Sequence, residues 1–340
     1  MALPIIRPVR MDDLDQVHAL AQATGGGMTN LPPERSALKK RLERAVESFA
    51  SRATAPGGEV YFCVLEADGK VVGTTAVFSA IGLESGFVNY KVNWTFHASQ
   101  QLNKRIKRRL LVPTYDFTGA GEVGSLYLSP DARGSGFGKL LARSRYLFIA
   151  QKPEIIADPV CAELRGWRAA DGAQPFWNAL GRHFFDMDFE EADVHNSATG
   201  NQFIADLMPR ISIYVVLLPD DARACIGKPH DGAAPAYRML LAEGFEYKDY
   251  IDIFDGGPLV SAKKANIRTV RDSRVGKASI VSSIGANVGV GVKLLARGAV
   301  SDFRATRAPA AVSDDAIIID RATADALNAE DGDDVRYVDW

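Results

Sequence analysis

The chemistry most legible in this chain lies in "SPDARGSGFGKLLARSR", Ser129 to Arg145. Glycines that open a helix present backbone N–H groups to a phosphate, and the helix dipole favours the anion. Three phosphate motifs compete for the stretch. A P-loop needs a glycine five residues before its Gly-Lys pair and a Ser or Thr after it. Here Arg133 and Leu140 stand at those places, so that motif fails. A dinucleotide fingerprint needs G-x-G-x-x-G close behind the first strand, whereas Gly134, Gly136 and Gly138 are spaced two apart and deep in the chain. The pattern that remains is Arg-x-x-Gly-x-Gly, filled by Arg133, Gly136 and Gly138 directly after "GSLYLSP". Its successive N–H groups suit a pyrophosphate. A glycine-rich helix start that holds no ligand is the competing reading.

A turn of this kind works only when a strand and a helix hold it. "IIRPVR" reads as an opening strand, followed by a helix on Leu14, Val17 and Ala21 with Asp12 or Asp13 as N-cap. "TGGG", Gly25 to Gly27, stops it. A second helix follows the 3.6-residue period through Leu38, Leu42, Ala45, Val46 and Phe49. "EVYFCVLEADGKVVGTTAVFSAI" reads as a hairpin turning at Asp68-Gly69, and "VNYKVNWTF" and "EVGSLYLSP" as further strands. An amphipathic helix over about 137–150 comes next, then a strand in "PVCAELRG" and short helices in "QPFWNALG" and "PAYRMLLAEGF". The pattern suits an α+β or α/β sheet with helices on both faces. From about Ala265 short alternating runs rich in Val, Ala and Gly predict a small β-barrel. The expected division is residues 1–260 for the main domain and 265–340 for a small β-rich one.

The 340 residues are 47% hydrophobic and 24% charged with net charge −2, so no global pull toward nucleic acid or membrane exists. Cys63, Cys161 and Cys225 lie far apart without a CxxC pair. They read as reduced thiols, with no disulfide framework and no metal site expected. The opening "MALPIIRPVRMDDLDQ" reads as neither signal peptide nor membrane span, so a cytoplasmic protein is expected.

Placed behind "LYLSP", the glycine turn resembles the coenzyme A site of the GCN5-related N-acetyltransferase fold. The resemblance implies that the preceding strand splays open at Leu126, Tyr127 and Leu128 and pairs with the pantetheine arm. It implies cofactor contacts along Arg133, Gly134, Ser135, Gly136, Phe137 and Gly138. Longer stretches are similar to one branch, the arginine N-succinyltransferases. They include "RPVRMDDLDQVHALAQATGGGMTNLP", "PFWNALGRHFFDMDFEEAD" and "IGKPHDGAAPAYRMLLAEGFEYKDYIDIFDGGP". The likeness runs in order from about Arg7 to Pro258 and is faint beyond, although the family carries a C-terminal β-rich extension.

What the resemblance implies is an enzyme that moves succinyl from succinyl-CoA to the α-amine of L-arginine. Leu126 maps to a succinyl-CoA contact, and the family's proton donor maps to His230. Histidine's pKa lies near neutrality, which suits protonation of a departing thiolate. Glu122, opening the splayed strand, is the candidate general base, with a merely solvated glutamate as the alternative. His97 also matches a family histidine, with a satisfied half-buried side chain as the alternative; His183 and His195 match no family histidine, and His18 lies on a helix, so these three are set aside. A guanidinium wants paired carboxylates, for which Asp186, Asp188, Asp252 and Asp255 are candidates. The succinyl carboxylate wants a cation, for which Arg165 and Arg145 are candidates. "TGGG" either lines the substrate end or only stops a helix.

The basic run "LNKRIKRRLL", Leu102 to Leu111, departs from the family pattern. It is expected to be a solvated helix face, with the 3′-phosphate of coenzyme A or an acidic partner subunit as alternatives. The same fold with acetyl-CoA or ornithine is an alternative activity. A non-catalytic subunit paired with a related chain is another, and a homo-oligomer or such a heteromer is expected.

Overall fold

The segment Val60–Ala67 is buried on both of its faces. Tyr61, Cys63 and Leu65 point into one core, and Val60, Phe62 and Val64 into another. A strand buried twice needs helices on both sides of its sheet. The computed structural model has that arrangement, and it describes residues 3–24, 28, 30–199, 202–284 and 289–340.

Among the described residues the first strands are β1 (Ile5–Pro8), β2 (Val60–Ala67), β3 (Lys70–Phe78), β4 (Asn89–Ser99) and β5 (Lys104–Thr114). They continue with β6 (Gly121–Leu128), β7 (Val160–Glu163), β8 (Ile213–Tyr214), β9 (Glu246–Asp252) and β10 (Pro258–Ala262). The C-terminal strands are β11 (Arg274–Val281), β12 (Gly291–Arg297), β13 (Arg304–Ser313), β14 (Ala316–Asp320) and β15 (Asp334–Asp339). The main sheet runs β1-β2-β3-β6-β7-β10-β9-β4-β5-β8, with β6 and β7 parallel. Helices α1 (Leu14–Gln22) and α2 (Arg35–Ala50) bring Val17, Leu20, Leu38 and Leu42 onto one face, against Phe62 and Val64. Asp13 precedes α1, but its carboxylate does not cap the helix. It turns instead to Arg7, accepting from Nη1 at 2.8 Å and Nη2 at 2.9 Å.

The C-terminal strands follow the order β12-β15-β11-β14-β13, and β13 pairs back onto β12, so the small sheet closes into a barrel. It meets the main sheet at the β1–β13 pairing, Ile6 opposite Ala305. Helix α3 (Phe137–Gln151) is caught between the two parts. Its residues Leu140 to Ile149 are all buried, because Leu294, Phe303 and Val338 of the barrel cover the side that an amphipathic helix would leave to water. The expected amphipathic helix is thus a fully enclosed one, which the sequence of α3 alone does not reveal.

The basic run is not a helix face. Lys104 to Thr114 form β5, the second strand of a long hairpin with β4, in which Lys107 lies opposite Phe96 and Arg109 opposite Trp94. Asn103, at φ 45°, supplies the left-handed turn residue. The Lys107 ammonium lies 4.0 Å from the centre of the Trp94 ring, and cross-strand cation–π pairing of this kind holds a charge-dense strand flat. Among the described residues no helix is long and apolar enough to cross a membrane.

Candidate functional site

Strand β6 builds the site by leaving its neighbour. It pairs with β7 only at Gly121–Val160 and Glu122–Cys161, after which the two parallel strands part. On its other edge β6 stays on β3, through a bulge at Ser125 (φ 51°) held by Thr74 Oγ1 donating to Ser125 O at 2.8 Å. A cleft of about 1340 Å³ opens where the strands part. Leu126, Tyr127 and Leu128 line it.

The glycine turn lines the same cleft. Pro130–Ala132 form a single tight turn, and Gly134 and Gly136 both take φ 83°. Gly136 is the N-cap of α3 and brings no capping side chain; Phe137 N–H makes a long bond to Ser135 Oγ at 3.4 Å, and the next N–H groups remain available to an anion. Arg133, Gly134, Gly136 and Gly138 line the cleft, while Phe137 packs its ring on the core and Ser135 turns its hydroxyl to Ala132 O at 2.7 Å. Arg307, from the barrel strand β13, donates from Nη2 to Ser135 O at 2.7 Å. A Cβ on Gly136 would meet its Nη1 at 2.3 Å, a second reason why glycine stands there.

Glu122 and His230 also line the cleft. Burial pushes the Glu122 carboxyl up to about 7, against the opposing pull of the Arg41 charge. His230 is positioned by its backbone: its N–H donates to Arg165 O at 2.8 Å, beside a bridge between Gly166 and Pro229. Its Nδ1 accepts from Gly232 N–H at 3.0 Å, which leaves the proton of the neutral ring on Nε2. Burial and the charges of Arg165 and Arg168 hold the imidazole below its ordinary value.

The charged candidates separate. Asp252 and Asp255 line the cleft, and so do Arg165 and Arg145. Asp186 is exposed, and Asp188 pairs with Arg182 at 3.4 Å on the surface. Arg145 is buried and spends its Nε on Ala142 O at 3.1 Å. His97 is exposed on the β4–β5 hairpin, 3.4 Å from the Tyr214 hydroxyl, and none of Leu102 to Leu111 lines the cleft. Gly25 to Gly27 lie outside the described residues.

Three cleft or turn residues escape a reading of the sequence. Arg41 lines the cleft from α2, donating to Asn30 O at 3.2 Å. A signal for it exists: it lies three residues after Leu38 and four before Ala45, on the face those residues bury. Glu163 is a charged residue ending an otherwise buried strand, which is a weaker signal. Arg307 has none, since its partner is 172 residues away.

Known proteins match this chain along its length. The sequence fits the family described as arginine N-succinyltransferase beta subunit over residues 4–269, and the C-terminal domain of that subunit over 281–339. It is 39% identical over 336 residues to the arginine N-succinyltransferase subunit beta of Pseudomonas aeruginosa, covering 98% of this chain and 97% of that protein. It is 38% identical over 339 residues to the arginine N-succinyltransferase of Yersinia pestis, with the same coverage. Among solved structures, the arginine/ornithine succinyltransferase subunit AI of Pseudomonas aeruginosa matches with TM-score 0.89 and 34% identity, over 100% of this chain and 99% of that one.

Proposed function

Because this chain belongs to the arginine N-succinyltransferase beta-subunit family, we propose that it transfers the succinyl group of succinyl-CoA to the α-amine of L-arginine. The observation that carries this reading is one cleft lined both by the glycine turn and by Glu122 and His230. The coenzyme's pyrophosphate sits on the N–H groups of 134–138 and beside Arg133, and its pantetheine arm follows the free edge of Leu126–Leu128. The thioester then reaches Glu122. Glu122 takes a proton from the ammonium, the freed amine attacks the thioester carbon, and a C–N bond forms as the C–S bond breaks. The surplus proton of the new amide nitrogen passes to the departing sulfur, which is steadied by His230 Nε2–H. Arg165, beside His230, receives the free carboxylate of the succinyl group. Leu126, Tyr127, Leu128, Arg133, Gly134, Gly136 and Gly138 are the cofactor-binding residues in this reading. Ser135 and Phe137 contribute through backbone alone.

The relatives' names speak of subunits, and this chain is read as assembling with copies of itself or with a related subunit in the cytoplasm. The transferase part is taken as residues 1–260 and the small part as 265–340.

The test is thiol release by the purified chain. Succinyl-CoA and acetyl-CoA are each offered with arginine, ornithine or no amine. Release that needs both succinyl-CoA and arginine, and collapses in His230→Ala, is the expected result. Equal release with acetyl-CoA would remove the succinyl assignment. Coenzyme A binding without release from any pair would identify a non-catalytic subunit.

A further inference from the structure

Three carboxylates with no part in the transfer step line the cleft beside Glu122: Glu163 ending β7, Asp252 ending β9, and Asp255 in the turn into β10. Among the described residues none of them forms an ion pair. The nearby cation is Arg165, which acts on Asp255, and Asp193 adds another negative charge facing Asp252. Two of the three are fixed by backbone. Asp252 Oδ1 accepts from the N–H groups of Phe254 at 2.6 Å and Asp255 at 2.8 Å. Asp255 accepts from Gly166 N–H at 2.6 Å and Gly257 N–H at 2.8 Å. The two turns touch so closely that a Cβ on Gly257 would lie 2.1 Å from Leu164 O.

A separate observation points to what these groups await. Asn89 is fully buried, lies opposite Asp252 across the β4–β9 pairing, and donates from Nδ2 to Glu163 Oε1 at 2.7 Å. Its Oδ1 has no hydrogen-bond partner. A buried acceptor left alone is costly, and its presence among carboxylates calls for a donor that carries positive charge. A metal ion is the wrong shape for it: among the described residues no three His, Cys, Asp or Glu side chains converge closely enough to hold one. A planar cation with five N–H donors fits a set of acceptors spread this widely. Burial raises Glu163, Asp252 and Asp255 above the ordinary carboxylate range, with the charge of Asp252 adding to the rise at Glu163 and Asp255 and that of Asp193 at Asp252, so the cluster holds its full negative charge only when a cation joins it.

We propose that Glu163, Asp252 and Asp255, with Asn89 behind them holding Glu163, form the pocket that takes the guanidinium of the amine substrate. This assignment rests on the acyl-transfer reading above and adds the residues that choose the amine. Glu163 is the residue to change, since Glu163→Gln keeps an oxygen for Asn89 Nδ2 and removes only the charge. Asp252→Asn likewise keeps a carbonyl oxygen for the two backbone donors.

The experiment measures succinyl transfer to L-arginine and to L-citrulline, which has the same length and a neutral urea in place of the guanidinium. The native protein is expected to prefer arginine. Glu163→Gln and Asp252→Asn are each expected to raise KM for arginine by about 10-fold or more, to leave KM for succinyl-CoA unchanged, and to shrink the arginine-to-citrulline ratio of kcat/KM by about as much. Loss of rate with both amines in equal proportion would overturn the pocket while leaving the transferase reading in place. If arginine releases no thiol, the transferase reading fails, and calorimetric binding of arginine alone decides the pocket. Binding that Glu163→Gln abolishes supports it, and no binding by the native chain refutes it.

Discussion

Glu122 and His230 reach the same cleft with opposite protonation needs, and their surroundings settle both. Burial raises Glu122 to about 7, so its proton-accepting form fills as pH rises through that value. His230 is pulled down by burial and by Arg165 and Arg168, so the ring is neutral at pH 7. Protonating its Nδ1 would also set a second N–H against that of Gly232. A hydrogen-bond donor through Nε2 is therefore the role this environment supports, rather than a stored proton. The expected kcat/KM profile rises through about pH 7 and then stays level, whereas an imidazolium acid would make it fall on the alkaline side. Glu122→Gln is expected to lower kcat by about 10²- to 10⁴-fold and to erase the rising limb. A limb that survives the substitution would exclude Glu122 as the base. Glu122 is legible in sequence only as a glutamate at a strand start, and nothing local tells that strand-end residue from Glu66, which pairs with Arg7.

At the scale of elements, the glycine turn is held by a strand from the other end of the chain. Arg307 on β13 draws the carbonyl of Ser135 toward the barrel, so the N–H of the same peptide unit, that of Gly136, points the opposite way. A charged donor on the carbonyl polarises that N–H and strengthens it toward an anion. The Arg307 guanidinium and the Lys139 ammonium also share the Trp340 ring, 5.2 and 4.3 Å from its centre. Arg307→Ala is expected to raise KM for succinyl-CoA by about 10-fold, the size of one charge-assisted hydrogen bond, with KM for arginine unchanged. Arg307→Lys should recover part of the loss. Initial rates at varied succinyl-CoA check it, and an unchanged KM would show that the barrel does not serve the turn. The α1, α2 and α3 periods, the β2–β3 hairpin and the strand before the turn are all legible in the sequence. The β5 strand is not, because its run of lysines and arginines has no apolar alternation until it is paired with β4.

Among the described residues the most exposed large apolar side chains include several on the β4–β5 hairpin and the segment that crosses its edge. Phe96 is 73% exposed, Ile211 75% and Leu217 76%, with Trp94 half exposed beside them. Exposed apolar patches of this kind are the surfaces through which proteins commonly meet other proteins. The family's naming as a subunit agrees with that. Phe96→Asp is expected to weaken association several-fold, and multi-angle light scattering would register a lower mass at the same concentration. A native chain that is already a monomer, or a mutant of unchanged mass, would sink this reading. The patch is read from exposure, since in sequence Trp94 and Phe96 look like two more core residues of an alternating strand.

The sequence by itself determined the glycine turn, the strand in front of it, the helix behind it and the barrel-forming tail. These depend on spacing within about 30 residues, where periodicity and turn chemistry act locally. Tertiary structure alone decided which charges face the cleft. Asp252 and Asp186 are equally plain aspartates in sequence, yet one ends in the cleft beside Glu163 and the other in water. Arg307 finds Ser135, and Asn89 finds Glu163, across 172 and 74 residues. No local pattern encodes those partners, because each pair meets only after the sheet has placed its strands side by side.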